Sequence, residues 1–242
     1  MSPPNAAFAK SNNTGVIIWV GNPDCQAAHV AVLGWLKVHC KRFITVSGTL
    51  SEAIKGNLGE AISFYVGSTF DFLQFLPFPA NAFSPLGSIS RPDIDIVWIF
   101  LGKRPSDDFA ILHEVKTTTS SSSLDYANNL INDYDKLFGT SVTLTLHTRL
   151  QGIKNEVEYK LGKPQLCPRI SGLAGKSPQS SPKIRLLPTL VHDLAAGSPV
   201  KKMVAIRSTL IGRGWSAGSV DPWAIGLSQL ESRLKRLARG QN

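Results

Sequence analysis

Four charged side chains near the middle of the chain have the types and spacing to hydrolyse a phosphate ester. Asp93 and Asp95 open the run Ile96-Val97-Trp98-Ile99-Phe100, and Glu114 and Lys116 close the run Phe109-Ala110-Ile111-Leu112-His113. Both runs read as strands, joined by a polar turn over 102–108 that contains Gly102 and Pro105, as a hairpin linker should. Strand side chains alternate faces, so Asp93 and Asp95 share one face, and Glu114 and Lys116 share one face. Two carboxylates and an ammonium are thereby expected beside an apolar sheet. Hard divalent cations take oxygen ligands, and a metal so held activates water and stabilises a phosphoryl transition state. The ammonium would then sit beside the attacking water or the scissile phosphate. Singly, these pieces are ordinary: Glu-Val-Lys commonly ends a solvated strand, and an Asp after Pro92 commonly belongs to a turn.

The elements around this hairpin are expected as follows. Ser51 can cap a helix running to about Val66, with Ile54, Leu58, Ala61, Ile62 and Tyr65 as its apolar stripe. Glu60 falls about 100° round from that stripe and flanks the buried face. Gly56 and Gly59 cost helix propensity, which makes sense if backbone there must approach something closely. Residues 70–86, rich in Phe and Pro, read as an irregular packed segment. Beyond Lys116, the Thr/Ser run 117–123 reads as a loop at the edge of the site. Ser120 and its neighbours, with free N–H groups at a helix start, suit phosphate contact. A helix then runs to Phe138 with Gly139 as its stop, and Ser141–His147 alternates as a further strand.

This constellation resembles the active site of the PD-(D/E)xK, or restriction-endonuclease-like, nuclease superfamily. The matching residues are Glu60 on the preceding helix, Asp95, and Glu114 with Lys116, which begin 19 positions after Asp95 (114 − 95). The resemblance covers about residues 51–146. It implies an α/β core, a mixed central sheet flanked by helices in the order αβββαβ. It also implies Mg²⁺ or Mn²⁺ held by Glu60, Asp95 and Glu114, with Lys116 orienting water or neutralising developing charge. Asp95 is preferred to Asp93 because it immediately precedes the apolar run, the family's usual position. A small nuclease with a long C-terminal extension is also similar to the Hachiman-type nuclease subunit of prokaryotic defence systems. That similarity implies a role in anti-phage defence and a helicase or other defence-system protein as partner.

Composition bounds the rest. The chain has 242 residues and 43% hydrophobic content with five Trp, enough for one substantial core. Lys and Arg number 26 against 17 Asp and Glu, a net charge of +9 that favours a polyanionic partner, with DNA the expected nucleic acid. Three cysteines without C-x-x-C spacing support neither a zinc site nor a disulfide framework. The N-terminus lacks the pattern of a signal peptide, and no uncharged apolar run approaches a membrane span, so a cytoplasmic protein with no membrane contact is expected. Neither Gly15–Gly21, which lacks a full G-x-G-x-x-G, nor the dispersed histidines, nor three scattered Ser-x-x-Lys matches make a competing site.

Three regions are expected: an N-terminal strand and helix addition over 1–50, the nuclease core over 51–162, and a C-terminal addition over 163–242 packed on the same domain. In the first, Gly15–Val20 reads as a strand, the stretch after Asp24 to about His39 as a helix and 43–46 as a short strand. In the last, six prolines make 163–199 a long loop or a partner-binding segment, and Lys201–Leu210 reads as a strand. Asp221-Pro222 reads as the start of a helix carrying Trp223, Leu227, Leu230, Leu234 and Leu237. Arg233, Lys235, Arg236 and Arg239 in its last turns either complement the helix dipole or form a basic face for nucleic acid. The function expected is a metal-dependent endonuclease. The competing expectation is a non-catalytic subunit that binds nucleic acid or recruits a partner through a vestigial nuclease fold.

Overall fold

The computed structural model describes residues 7–21, 26–40, 50–80, 94–138, 143–173, 179 and 181–241. The expected strand at 43–46, Asp93 and Gly139 lie outside them. The described strands are β1 (Phe8–Asn13), β2 (Val16–Gly21), β3 (Leu76–Pro79), β4 (Ile96–Phe100), β5 (Phe109–Thr118), β6 (Ile184–Asp193) and β7 (Trp223–Leu227). They form one mixed sheet in the order β1-β2-β7-β6-β5-β4-β3. Its centre, β2-β7-β6-β5, is parallel, and both edges are antiparallel.

Helices cover both faces, as the burial of a parallel centre requires. On one face lie α1 (Gln26–His39), α2 (Glu52–Val66) and α7 (Leu230–Ala238), whose Val32, Leu36, Leu58, Ile62 and Leu234 pack with Trp98 and Val115. On the other lie α3 (Asn129–Phe138), α4 (Thr143–Tyr159), α5 (Cys167–Ser171) and α6 (Val200–Gly212). There Leu130, Tyr134, Leu150, Ile170 and Met203 pack against Val97, Leu112 and Leu186. The protein is therefore α/β, with a seven-stranded mixed sheet between helical layers. Strands from 1–50, 51–162 and 163–242 all enter that one sheet.

Along the chain, α2 is followed by the antiparallel meander β3-β4-β5, then by α3, α4 and α5, and then by β6, which pairs parallel with β5. The meander sets the site. Ile96 pairs with His113, so one step further Asp95 stands opposite Glu114. β5 then continues to Thr118, paired with β6 alone on its far side.

Several sequence expectations hold. Ser51 caps α2, its hydroxyl accepting from the Ile54 amide at 3.3 Å, and the apolar stripe of α2 is buried. Others are corrected. Thr143–Tyr159 is helix α4, not a strand; Leu146, Leu150, Ile153 and Val157 fall at helical spacing and are buried. Val200–Gly212 is helix α6, not a strand, burying Met203, Ile206 and Leu210 at the same spacing. The segment expected as a long loop contains β6, ten residues at the middle of the sheet. The helix expected from Pro222 begins at Leu230, because Trp223–Leu227 is the wholly buried strand β7. Gln229, with φ 53, marks the break between them. β3, within the expected irregular segment, is an edge strand containing Pro77 and Pro79, where missing ladder donors cost least.

Candidate active site

Asp95, Glu114 and Lys116 come together on the face of the sheet that α3 covers. Asp95 sits just before β4, and its Oδ2 accepts from the Val115 amide at 2.7 Å. Glu114, 3% exposed, hydrogen bonds through its carboxyl to Asp95. Lys116 Nζ forms an ion pair with Asp133 of α3, the two side chains being 19% and 22% exposed. Asp133 Oδ1 also takes Lys136 Nζ at 3.1 Å.

Burial dominates the electrostatics. It raises Asp95 to about 6, against the opposing pull of Lys116 and the Val115 N–H. It also raises Glu114, with the Asp95 charge adding to it. Two acids this close do not both ionise easily, so the pair tends to keep a proton. Burial alone would lower the Lys116 ammonium, but Asp95, Asp133 and Glu114 outweigh it and hold the group above the ordinary lysine value. Tyr134, beside Asp133, donates its hydroxyl to the Leu112 carbonyl at 3.0 Å. Its phenol is pushed well above its usual value by burial and then by Glu114.

Glu60 comes to this region from α2, on the opposite face of β5. It is 8% exposed, more buried than its angle from the apolar stripe suggests, because α2 is packed against both the sheet and its neighbouring helices. The fit of α2 to β5 depends on Gly59: a Cβ there would stand 1.7 Å from Thr117 Oγ1. A Cβ on Gly56 meets nothing, because that side opens into a cleft of about 280 Å³. The cleft is lined by Gly56, Asn57, Glu60, Asp95, Lys116 and Tyr126, among others. It lies where β5 runs on past the start of β4. Glu60, Asp95 and Lys116 therefore share one opening, and Glu114 lies in the buried layer beside Asp95. Among the described residues, no group of three or more His, Cys, Asp or Glu side chains is close enough to hold a metal.

His113 points to the other face, as alternation requires. It is fully buried, accepts from Trp98 Nε1 at 3.1 Å, and is lowered to about 3 by burial. It is a neutral core residue. Ser120 lies just past β5, its hydroxyl accepting from the amides of Ser122 and Ser123 at 3.2 and 3.1 Å. It orders the loop that leads to Tyr126.

The basic residues of α7 are partly engaged. Arg233 donates to the Ser228 carbonyl at 2.7 Å, Lys235 pairs with Glu231 at 3.0 Å, and Arg236 reaches Gln26 at 3.4 Å. Arg239 is exposed at the helix end. Asp133 and Tyr126 are the site residues that sequence reading missed. Nothing local distinguishes Asp133 from the other polar positions of α3, and its role comes only from the packing of α3 on β5. No protein-family model matches the chain, and no curated protein matches its sequence.

Proposed function

We propose that the protein is a metal-dependent phosphodiesterase acting on nucleic acid, with DNA as the expected substrate, and that its sheet is built on a restriction-endonuclease-like core. The observation that carries this reading is the register that sets Asp95 opposite Glu114, with Lys116 two residues on along the same face. The order α2, β3-β4-β5, then helices α3 to α5, then β6 supports the reading, for which an αβββαβ core is expected. Two buried oxygen acids that resist joint ionisation suit a hard divalent cation, whose charge would replace the proton they retain.

In this reading Asp95 and Glu114 would hold Mg²⁺ or Mn²⁺, and Glu60 lines the same cleft without completing a three-carboxylate group with them. The bound ion would lower the pKa of a water and offset charge at phosphorus. The Val115 N–H fixes the orientation of the Asp95 carboxylate. Lys116 carries a permanent charge to the same place, where it can orient water or meet a phosphate oxygen. The net charge of +9 supports a polyanionic substrate, held by exposed cations such as Arg239. The setting we propose is the cytoplasm, in anti-phage defence alongside a helicase. Among the described residues, no helix is long and apolar enough to cross a membrane.

A second reading has its own support: Lys116 is already paired with Asp133, and Glu114 with Asp95, as in a structural polar cluster. That reading makes the protein a binding subunit. Incubation of the pure protein with plasmid, linear duplex, single-stranded DNA and RNA separates the two. Cleavage with Mg²⁺ that EDTA stops supports the nuclease. Binding without cleavage of any substrate, with Mg²⁺ or Mn²⁺, supports the subunit.

A further inference from the structure

We propose that Asp133 is a positioning residue, holding the Lys116 ammonium at the Asp95–Glu114 pair; this rests on the nuclease reading above. Asp133 is placed by the packing of its own helix. Leu130, Tyr134 and Leu137 of α3 are buried against the sheet, and the Tyr134 hydroxyl is fixed to the Leu112 carbonyl of β5. With α3 tied to β5 at Leu112, the side chain preceding Tyr134 is presented four residues further along that strand, at Lys116.

The division of labour at Asp133 supports the same role. Oδ2 faces Lys116 and Oδ1 takes Lys136, so the carboxylate is held from both sides. The Lys136 side chain is 75% exposed and contributes little beyond local charge. Lys116 is different, because both members of its pair are about four-fifths covered. A lysine side chain free in the cleft would sample many rotamers; this contact confines it to those that bring Nζ beside Asp95. An ammonium has three donors, so the contact with Asp133 leaves two for a water or a phosphate oxygen.

The test compares wild type, Asp133→Asn and Asp133→Glu on plasmid DNA with Mg²⁺, with Mn²⁺ binding followed by calorimetry. Lys116 reactivity toward an amine-labelling reagent is read by mass spectrometry. For Asp133→Asn we expect kcat to fall roughly 10- to 100-fold, as for other residues that orient a ligand or catalytic group. KM and Mn²⁺ affinity should change little, and Lys116 should label faster. Asp133→Glu, which restores the charge, should recover part of the loss. Full kcat in Asp133→Asn, or Lys116 labelling at the wild-type rate, overturns the proposal. Loss of Mn²⁺ affinity also overturns it, by making Asp133 a ligand. If Asp133→Asn does not fold, Asp133→Ser carries the same comparison. Absence of cleavage by the wild type refutes the nuclease reading itself, and a catalytic role for Asp133 with it; the labelling comparison then shows whether Asp133 restrains Lys116 at all.

Discussion

Asp95 Oδ2 takes the Val115 amide at 2.7 Å, so the side chain just ahead of β4 occupies a β5 donor that β4, beginning at Ile96, does not reach. The strands part here, and the cleft forms in the gap. The carboxylate that closes the ladder is the one best placed to face a ligand.

The coupled acids give the metal-free protein a distinctive pH dependence. Asp95 is raised from 3.8 to about 6, mainly by burial. Between about pH 4 and 6 the unfolded chain has lost this proton and the folded chain still holds it. The contribution of Asp95 to stability therefore falls as pH rises through that window and is level above it. His113, lowered from 6.5 to about 3, works the other way, its contribution being lost as pH falls below 6.5. The difference in Tm between wild type and Asp95→Asn reports the titration of the pair, since Glu114 loses its charged neighbour in the variant. In EDTA, the wild type should lose several degrees relative to the variant from pH 4 to 6, and Mg²⁺ should restore them. A constant difference across the window would contradict the assignment.

The two glycines of α2 should behave oppositely. Gly59→Ala puts a methyl into Thr117 Oγ1, and overpacking against a strand costs about 1–3 kcal/mol. Gly56→Ala meets open space and should stabilise the helix by about 0.5–1 kcal/mol. It also adds a methyl to the wall of the cleft, so any loss of activity in this stable variant would report substrate passing there. Denaturant unfolding of both variants checks the order, which a more stable Gly59→Ala would reverse.

How much of this was legible from sequence follows from where each signal lives. The β4–β5 hairpin could be read because alternation around a polar turn is local, and with it came Asp95, Glu114 and Lys116. The Ser51 cap and the stripe of α2 are equally local. β6 was hidden by Pro188, which lacks a ladder donor yet lies beside Glu114 at the sheet's centre. β7 was hidden because Trp223, Leu227, Leu230, Leu234 and Leu237 keep helical spacing across a strand, a left-handed Gln229 and a helix. Asp133 was invisible because only tertiary packing brings α3 to Lys116. Glu114 is buried within β5, which runs on to Thr118, so Glu114→Ala would open a buried site and Glu114→Gln is the cleaner variant.

Charge on α7 can be separated into local and substrate-directed parts. Lys235 and Arg236 have partners on the protein, and Arg239 is exposed. Replacing Arg233, Lys235, Arg236 and Arg239 together by Gln should flatten the slope of log K against log salt by about 0.9 for each duplex phosphate that is no longer neutralised. Filter binding at several salt concentrations measures it. An unchanged slope would assign these cations to the helix dipole and to local pairing.

We propose that the Asp95–Glu114 pair, with Lys116 and a divalent cation, hydrolyses phosphodiesters. This is tested most directly by single-turnover cleavage of labelled DNA in Mg²⁺, comparing wild type with Glu114→Gln and Lys116→Ala purified in parallel. The account predicts cleavage by the wild type, its loss in EDTA, and rates in both variants lower by at least about 100-fold, several kcal/mol of transition-state stabilisation. Both variants should keep DNA affinity and cooperative unfolding. Wild-type rates in either variant, or a wild type that cleaves equally well in EDTA, would contradict it.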